Sequence, residues 1–124
     1  MHATAPEEIH ALIEAAFNSG DREAFVELHE EDATVVVPPR GERIHGKDAI
    51  RTAIEATFAL RPHARIEFLD KVESDGMALT HARWNVTGSD GGRPIEMSGR
   101  GTIVSRRQAD GSWRIVLENS MSPE

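Results

Sequence analysis

Cysteine is absent from the 124 residues, which excludes a disulfide framework and any Cys-based zinc or iron-sulfur site. A reducing compartment suits such a chain, and the cytoplasm is the expected location. Met1 to Pro6 has neither the basic start nor the apolar stretch of a signal peptide, and no uninterrupted apolar run approaches the roughly 20 residues of a membrane helix. Export by that route and a membrane span are not expected. Positive charge is scarce as well: 14 Lys and Arg stand against 21 Asp and Glu, a net charge of -7 that repels phosphate backbones and anionic headgroups. Nucleic acid is therefore not an expected partner. Residues 1–62 carry 12 acids and 6 bases, whereas residues 63–124 carry 9 and 8, so the second half is the one suited to self-association.

What is present is globular composition, 39% apolar and 28% charged, on a length that suits one domain spanning 1–124. Thr4-Ala5-Pro6-Glu7 reads as a capping box, and Ile9, Leu12, Ile13, Ala16 and Phe17 form one helical stripe that Gly20 ends. Asp21 caps a second helix carrying Ala24, Phe25 and Leu28, with Glu30, Glu31 and Asp32 as its solvated end. Ala33 to Val37 is a short buried strand closed by Pro38-Pro39, and Arg40 to Gly46 reads as a loop. Ile50, Ala53, Ile54, Thr57 and Phe58 mark a third helix, which Pro62 closes. Beyond it the period becomes two: 63–73, 77–87, 94–107 and 112–120 read as long strands joined by Asp-Gly and Gly-Gly hairpin turns. Helices followed by an antiparallel meander make an α+β domain.

Asn18-Ser19-Gly20-Asp21 between two helices, Glu31-Asp32-Ala33-Thr34-Val35 entering a strand and His45-Gly46-Lys47-Asp48-Ala49-Ile50 opening a helix resemble the nuclear-transport-factor-like superfamily. The ketosteroid isomerase and SnoaL-like branches are nearest. Met97 to Thr102 and Arg106 to Ile115 resemble YybH-type SnoaL-like members. The resemblance implies a cone-shaped fold, three N-terminal helices on a strongly curved, mostly antiparallel sheet around a small-molecule pocket. It also implies a homodimer through the outer sheet face. Val37 stands where ketosteroid isomerase has its general-base aspartate, Ile13 where it has its oxyanion-hole tyrosine, and Thr102 or Ile103 near its second acid. Steroid isomerisation by that mechanism is not expected.

His81, Arg83 and Asn85 alternate with Ala82, Trp84 and Val86 on one strand, so one face is polar and the other apolar. The pattern alone leaves open which face meets the core. The resemblance turns Leu79, His81, Arg83 and Asn85 into the cavity and leaves Ala78, Ala82, Trp84 and Val86 to a dimer contact. His81 is then the candidate acid-base group and Arg83 a binder of an anionic or carbonyl oxygen. On the last strand, alternation places Trp113, Ile115, Leu117, Asn119 and Met121 on one face, with Asn119 a polar break in the row. The expected pocket thus combines Arg83, Asn85, Leu117, Asn119 and Met121 with an apolar wall of Ile13, Phe17, Val37, Ile54 and Phe58. His2, His10, His29, His45 and His63 stand too far apart for a ligand pattern, and the Gly-Gly and Gly-Arg-Gly segments precede no helix, so no metal or cofactor is expected. These readings describe a binder of a small, largely apolar molecule, with isomerase, cyclase or dehydratase activity as one version. A non-catalytic ligand-binding protein or a dimeric scaffold is the alternative, and a cavity below about 300 Å³ would favour the scaffold.

Overall fold

The structure, a computed structural model, describes residues 2–123. Three helices, α1 (Glu8–Ser19), α2 (Arg22–Glu27) and α3 (Lys47–Ala59), pack on a six-stranded sheet. Its strands are β1 (His29–Val37), β2 (Glu42–His45), β3 (His63–Ser74), β4 (Met77–Asp90), β5 (Arg93–Arg107) and β6 (Trp113–Ser122). The order is β2-β1-β6-β5-β4-β3, antiparallel except where β1 lies parallel to β6. The α+β class and the mostly antiparallel sheet thus follow the reading of periods.

The boundaries show how local chemistry works. Gly20 takes φ 72° to end α1, and Asp21 accepts from Ala24 N at 3.0 Å to start α2. The capping box is shifted by one: Thr4 N and Oγ1 both reach Glu8 Oε1, at 2.7 and 2.9 Å, while Glu7 instead takes Lys71 Nζ at 3.1 Å. The acidic run is not a helix end. Glu30, Glu31 and Asp32 already belong to β1, where Glu30 accepts from Arg106 Nε at 2.9 Å and Gln108 Nε2 at 2.8 Å. The segment expected as a loop contains β2, because Glu42 to His45 completes ladder bonds with Val37 to Thr34.

The apolar stripes of the helices close over the inner face of the sheet. Ile9, Ile13, Phe25, Val26, Ile50 and Ile54 are buried against Ala33, Val35, Ala78, Ile103, Trp113 and Ile115. Full burial of each large aliphatic side chain contributes about 1.5–3 kcal/mol. Helix α1 also covers a sheet edge. Asn18 Oδ1 accepts from Ala64 N at 2.6 Å while its Nδ2 donates to Ala64 O at 3.1 Å, and one turn earlier Glu14 Oε2 accepts from Ile66 N at 2.7 Å. Two side chains at i and i+4 thereby act as a missing neighbour strand for β3. Asn18→Ala leaves the N–H of buried Ala64 without a partner and should cost about 1–2 kcal/mol. Urea unfolding of the two proteins measures it, and equal midpoints would show that water replaces the clamp.

Candidate functional site

Among the described residues, an apolar cavity of about 110 Å³ is walled by α1, α3, β1 and the inner face of β4, β5 and β6. Trp84 forms part of its floor. The ring lies across β5 because Gly99 and Gly101 leave bare backbone beneath it: a Cβ on Gly99 would stand 3.0 Å from Trp84 Cζ2, and one on Gly101 3.6 Å from Cδ1. The indole Nε1 then donates to Ser120 O in β6 at 2.9 Å. The Gly-Arg-Gly segment is thus the seat of an aromatic ring.

This packing settles which face of β4 is inside. Ala82, Trp84 and Val86 line the cavity, and Ala78 and Thr80 are buried, so the alternate residues point outward. His81, Arg83 and Asn85 therefore lie outside the cavity, contrary to the expectation. The apolar row is the only one that can lie dry against the helices, and burying the polar row would leave a guanidinium unpaired. Outside, His81 Nδ1 meets Asp70 Oδ1 at 2.7 Å, Arg83 approaches Glu67 at 4.0 Å and Asn85 donates to Glu96 Oε2 at 2.8 Å. Arg83 and Asn85 border an open polar groove with Arg65, Glu67 and Ser98.

The last strand departs from alternation. Val104 pairs with Leu117 but Ser105 with Ile115, an irregularity that inserts one residue between the two halves of β6. Before it Trp113 and Ile115 point inward. After it Glu118 and Ser120 do, while Leu117 and Met121 are 42% and 43% exposed. Leu117, Asn119 and Met121 are thus absent from the cavity wall, and Asn119 Oδ1 caps Met121 N at 3.0 Å. His81 and Asn119 each pair with Thr102, from the strands on either side of β5, and lie on the outer face. Of the apolar wall, Ile13, Phe17, Val37 and Ile54 line the cavity; Phe58 stands behind, edge-on to the Phe17 ring at 5.1 Å.

Inside, the polar groups are ones the spacing did not single out. His29 is fully buried where α2 meets β1, with Nδ1 3.0 Å from Phe25 O and Nε2 3.1 Å from Glu118 Oε1. Glu118 reaches the cavity and receives Ser120 Oγ at 3.4 Å. His10 Nε2 lies 2.7 Å from Thr80 Oγ1, which is itself 3.4 Å from Ile103 O. A buried His and carboxylate sharing a proton beside an apolar space can move that proton to or from a bound molecule. Among the described residues no cluster of His, Asp and Glu has the form of a metal site.

Burial pushes the His10 imidazole below its ordinary value near 6.5, outweighing the opposite pull of the Glu118 charge. The folded protein therefore holds His10 neutral, whereas the unfolded chain takes up a proton as pH falls through about 6.5. His10 is without penalty above that pH, and below it stability should fall by up to about 1.4 kcal/mol per pH unit. Urea unfolding at pH 7.5 and 5.5 tests this, with His10→Leu flattening the difference. A slope unchanged in the variant would assign the acid sensitivity elsewhere.

No curated protein matches the sequence. Among solved structures, a ketosteroid isomerase-like protein from Erwinia carotovora atroseptica is similar over 94% of both chains, with 21% identity and a TM-score of 0.79. A putative calcium/calmodulin-dependent protein kinase type II association domain from Thiobacillus denitrificans is similar over 100% of this chain and 99% of that one, at 19% identity and TM-score 0.79. An NTF-2 like protein of unknown function from Shewanella oneidensis shares 17% identity over 93% and 94%, with TM-score 0.76. At such identities the likeness is one of fold, the nuclear-transport-factor-like cone. Residues 9–116 match the SnoaL-like domain model, and the chain belongs to that family.

Proposed function

We propose that the chain is a cytoplasmic homodimer that binds a small, largely apolar molecule in the cavity beneath α1 and α3. The observation that carries this reading is the cavity itself. Ile13, Phe17, Val37 and Ile54 give it an apolar wall, Trp84 a flat floor, and Glu118 and His10 a few polar groups, which is how ligand sites are composed. Its volume of about 110 Å³ falls well below the roughly 300 Å³ of drug-sized sites, but it is of the order of the ~150 Å³ that admits one six-membered ring. The occupant is accordingly small. An isomerase, cyclase or dehydratase would use the same space, with Glu118 rather than His81 as the group that moves a proton. The small volume is also the observation that favours the alternative, a dimeric scaffold whose own side chains nearly fill the cone.

Binding is tested by thermal and chemical unfolding with toluene as the probe. A ligand at 100 times its Kd stabilises by about 2.7 kcal/mol, and Ala53→Phe, which fills the cavity, should abolish the gain. No stabilisation by toluene, with nothing found by mass spectrometry in the purified protein, would leave the scaffold.

The dimer is proposed here through a contact row other than the one expected from the sequence. Ala78, Ala82, Trp84 and Val86 face inward, but Val72, Leu79, Val104 and Leu117 are successive cross-strand partners on the outer face, and Val72 and Leu117 are 67% and 42% exposed. Such a stripe suits association with a second copy. Sedimentation should show dimers that Val104→Arg converts to monomers still stabilised by toluene. A monomeric wild type at micromolar concentration would remove the idea.

A further inference from the structure

We infer that the buried end of the cavity selects an uncharged molecule that brings its own hydrogen-bond donor, a hydroxyl or an N–H, to Glu118. This rests on the binding role proposed above and adds the chemistry of the occupant. A carbonyl oxygen only accepts, so the contact between His29 Nδ1 and Phe25 O places a hydrogen on Nδ1. The contact between Nε2 and Glu118 Oε1 then contains one further proton. Either an imidazolium donates to a carboxylate, or a carboxylic acid donates to a neutral imidazole. In both arrangements the pair is electrically neutral and Oε1 is engaged. Oε2 keeps lone pairs only, with Ser120 Oγ at a long 3.4 Å as its partner among the described residues.

The second polar group of the wall has the same character. The contacts His10–Thr80 at 2.7 Å and Thr80–Ile103 O at 3.4 Å are satisfied together only if Nε2–H donates to Oγ1 and the hydroxyl donates to the carbonyl. His10 Nδ1 is then a lone pair, and no described residue donates to it. The Trp84 N–H is engaged by Ser120 O and the Ser120 hydroxyl by Glu118. Apart from the hydroxyls of half-buried Thr57 and of Ser120, whose bond to Oε2 is long, the polar side chains that line the cavity accept hydrogen bonds and leave none to donate. At Glu118 and His10 an occupant with only acceptors leaves Oε2 poorly paired and faces lone pairs with lone pairs. An anion meets the same oxygens, and a cation finds no net charge to offset its desolvation.

Titration calorimetry with matched probes tests the rule. Cyclohexanol should bind about tenfold tighter than cyclohexanone, phenol about tenfold tighter than toluene, and benzoate not measurably. Glu118→Gln keeps the arrangement, because its amide can donate to His29 Nε2 while its carbonyl oxygen remains an acceptor, so both preferences should persist. Glu118→Leu should bring phenol down to toluene. Should the leucine variant fail to fold, the wild-type pairs and the glutamine variant carry the test. Cyclohexanone binding as tightly as cyclohexanol, or toluene as tightly as phenol, overturns the donor rule and leaves the binding role standing. Failure of every probe to bind overturns both.

Discussion

Trp84 lies flat over the bare backbone of Gly99 and Gly101 and holds β6 through its indole N–H, and the placing of the cavity depends on that contact. A ring of this size buries on the order of 150–250 Å² and cannot stand upright between a sheet and two helices without forcing them apart. Lying down, it needs two positions in the neighbouring strand with no Cβ. Once it is inside, strand alternation carries Ala82 and Val86 with it and sends His81, Arg83 and Asn85 out. The orientation of one aromatic side chain thus decides the character of both faces.

The polar interior is small and almost closed upon itself. His29, Glu118, His10 and Thr80 make their hydrogen bonds to one another or to backbone carbonyls, as buried polar groups in a low dielectric must. What they leave open toward the cavity is lone pairs. Ser105 is the exception on the other side of the account, a buried hydroxyl for which no partner is found among the described residues. The fold tolerates that one cost within a core otherwise made of aliphatic and aromatic contacts.

Much of the architecture was legible because its signals are local. The stripe from Ile9 to Phe17, the stop at Gly20, the cap at Asp21 and the hairpin turns at Asp75-Gly76 and Gly91-Gly92 each arise between residues a few positions apart. The site was less legible. Alternation alone left both faces of β4 open, and the family resemblance pointed to the wrong one for His81, Arg83 and Asn85. His29 and Glu118 are 89 residues apart and neither belongs to a motif. A signal for the correct face of β4 did exist in Gly99 and Gly101: two small residues alternating on a strand beside a tryptophan strand are what a flat ring requires.

The sequence by itself determined the α+β order of elements and the SnoaL-like resemblance, since helical and strand periods are properties of neighbouring residues. Tertiary structure decided which side of each strand is inside and hence which chemistry the cavity holds. The clearest instance is β6, where one inserted residue opposite Val104 and Ser105 turns Glu118 in and Leu117, Asn119 and Met121 out. With a side-chain period of two, a slip of one residue exchanges the faces completely. Such a slip is set by pairing with β5, which no count along β6 can detect.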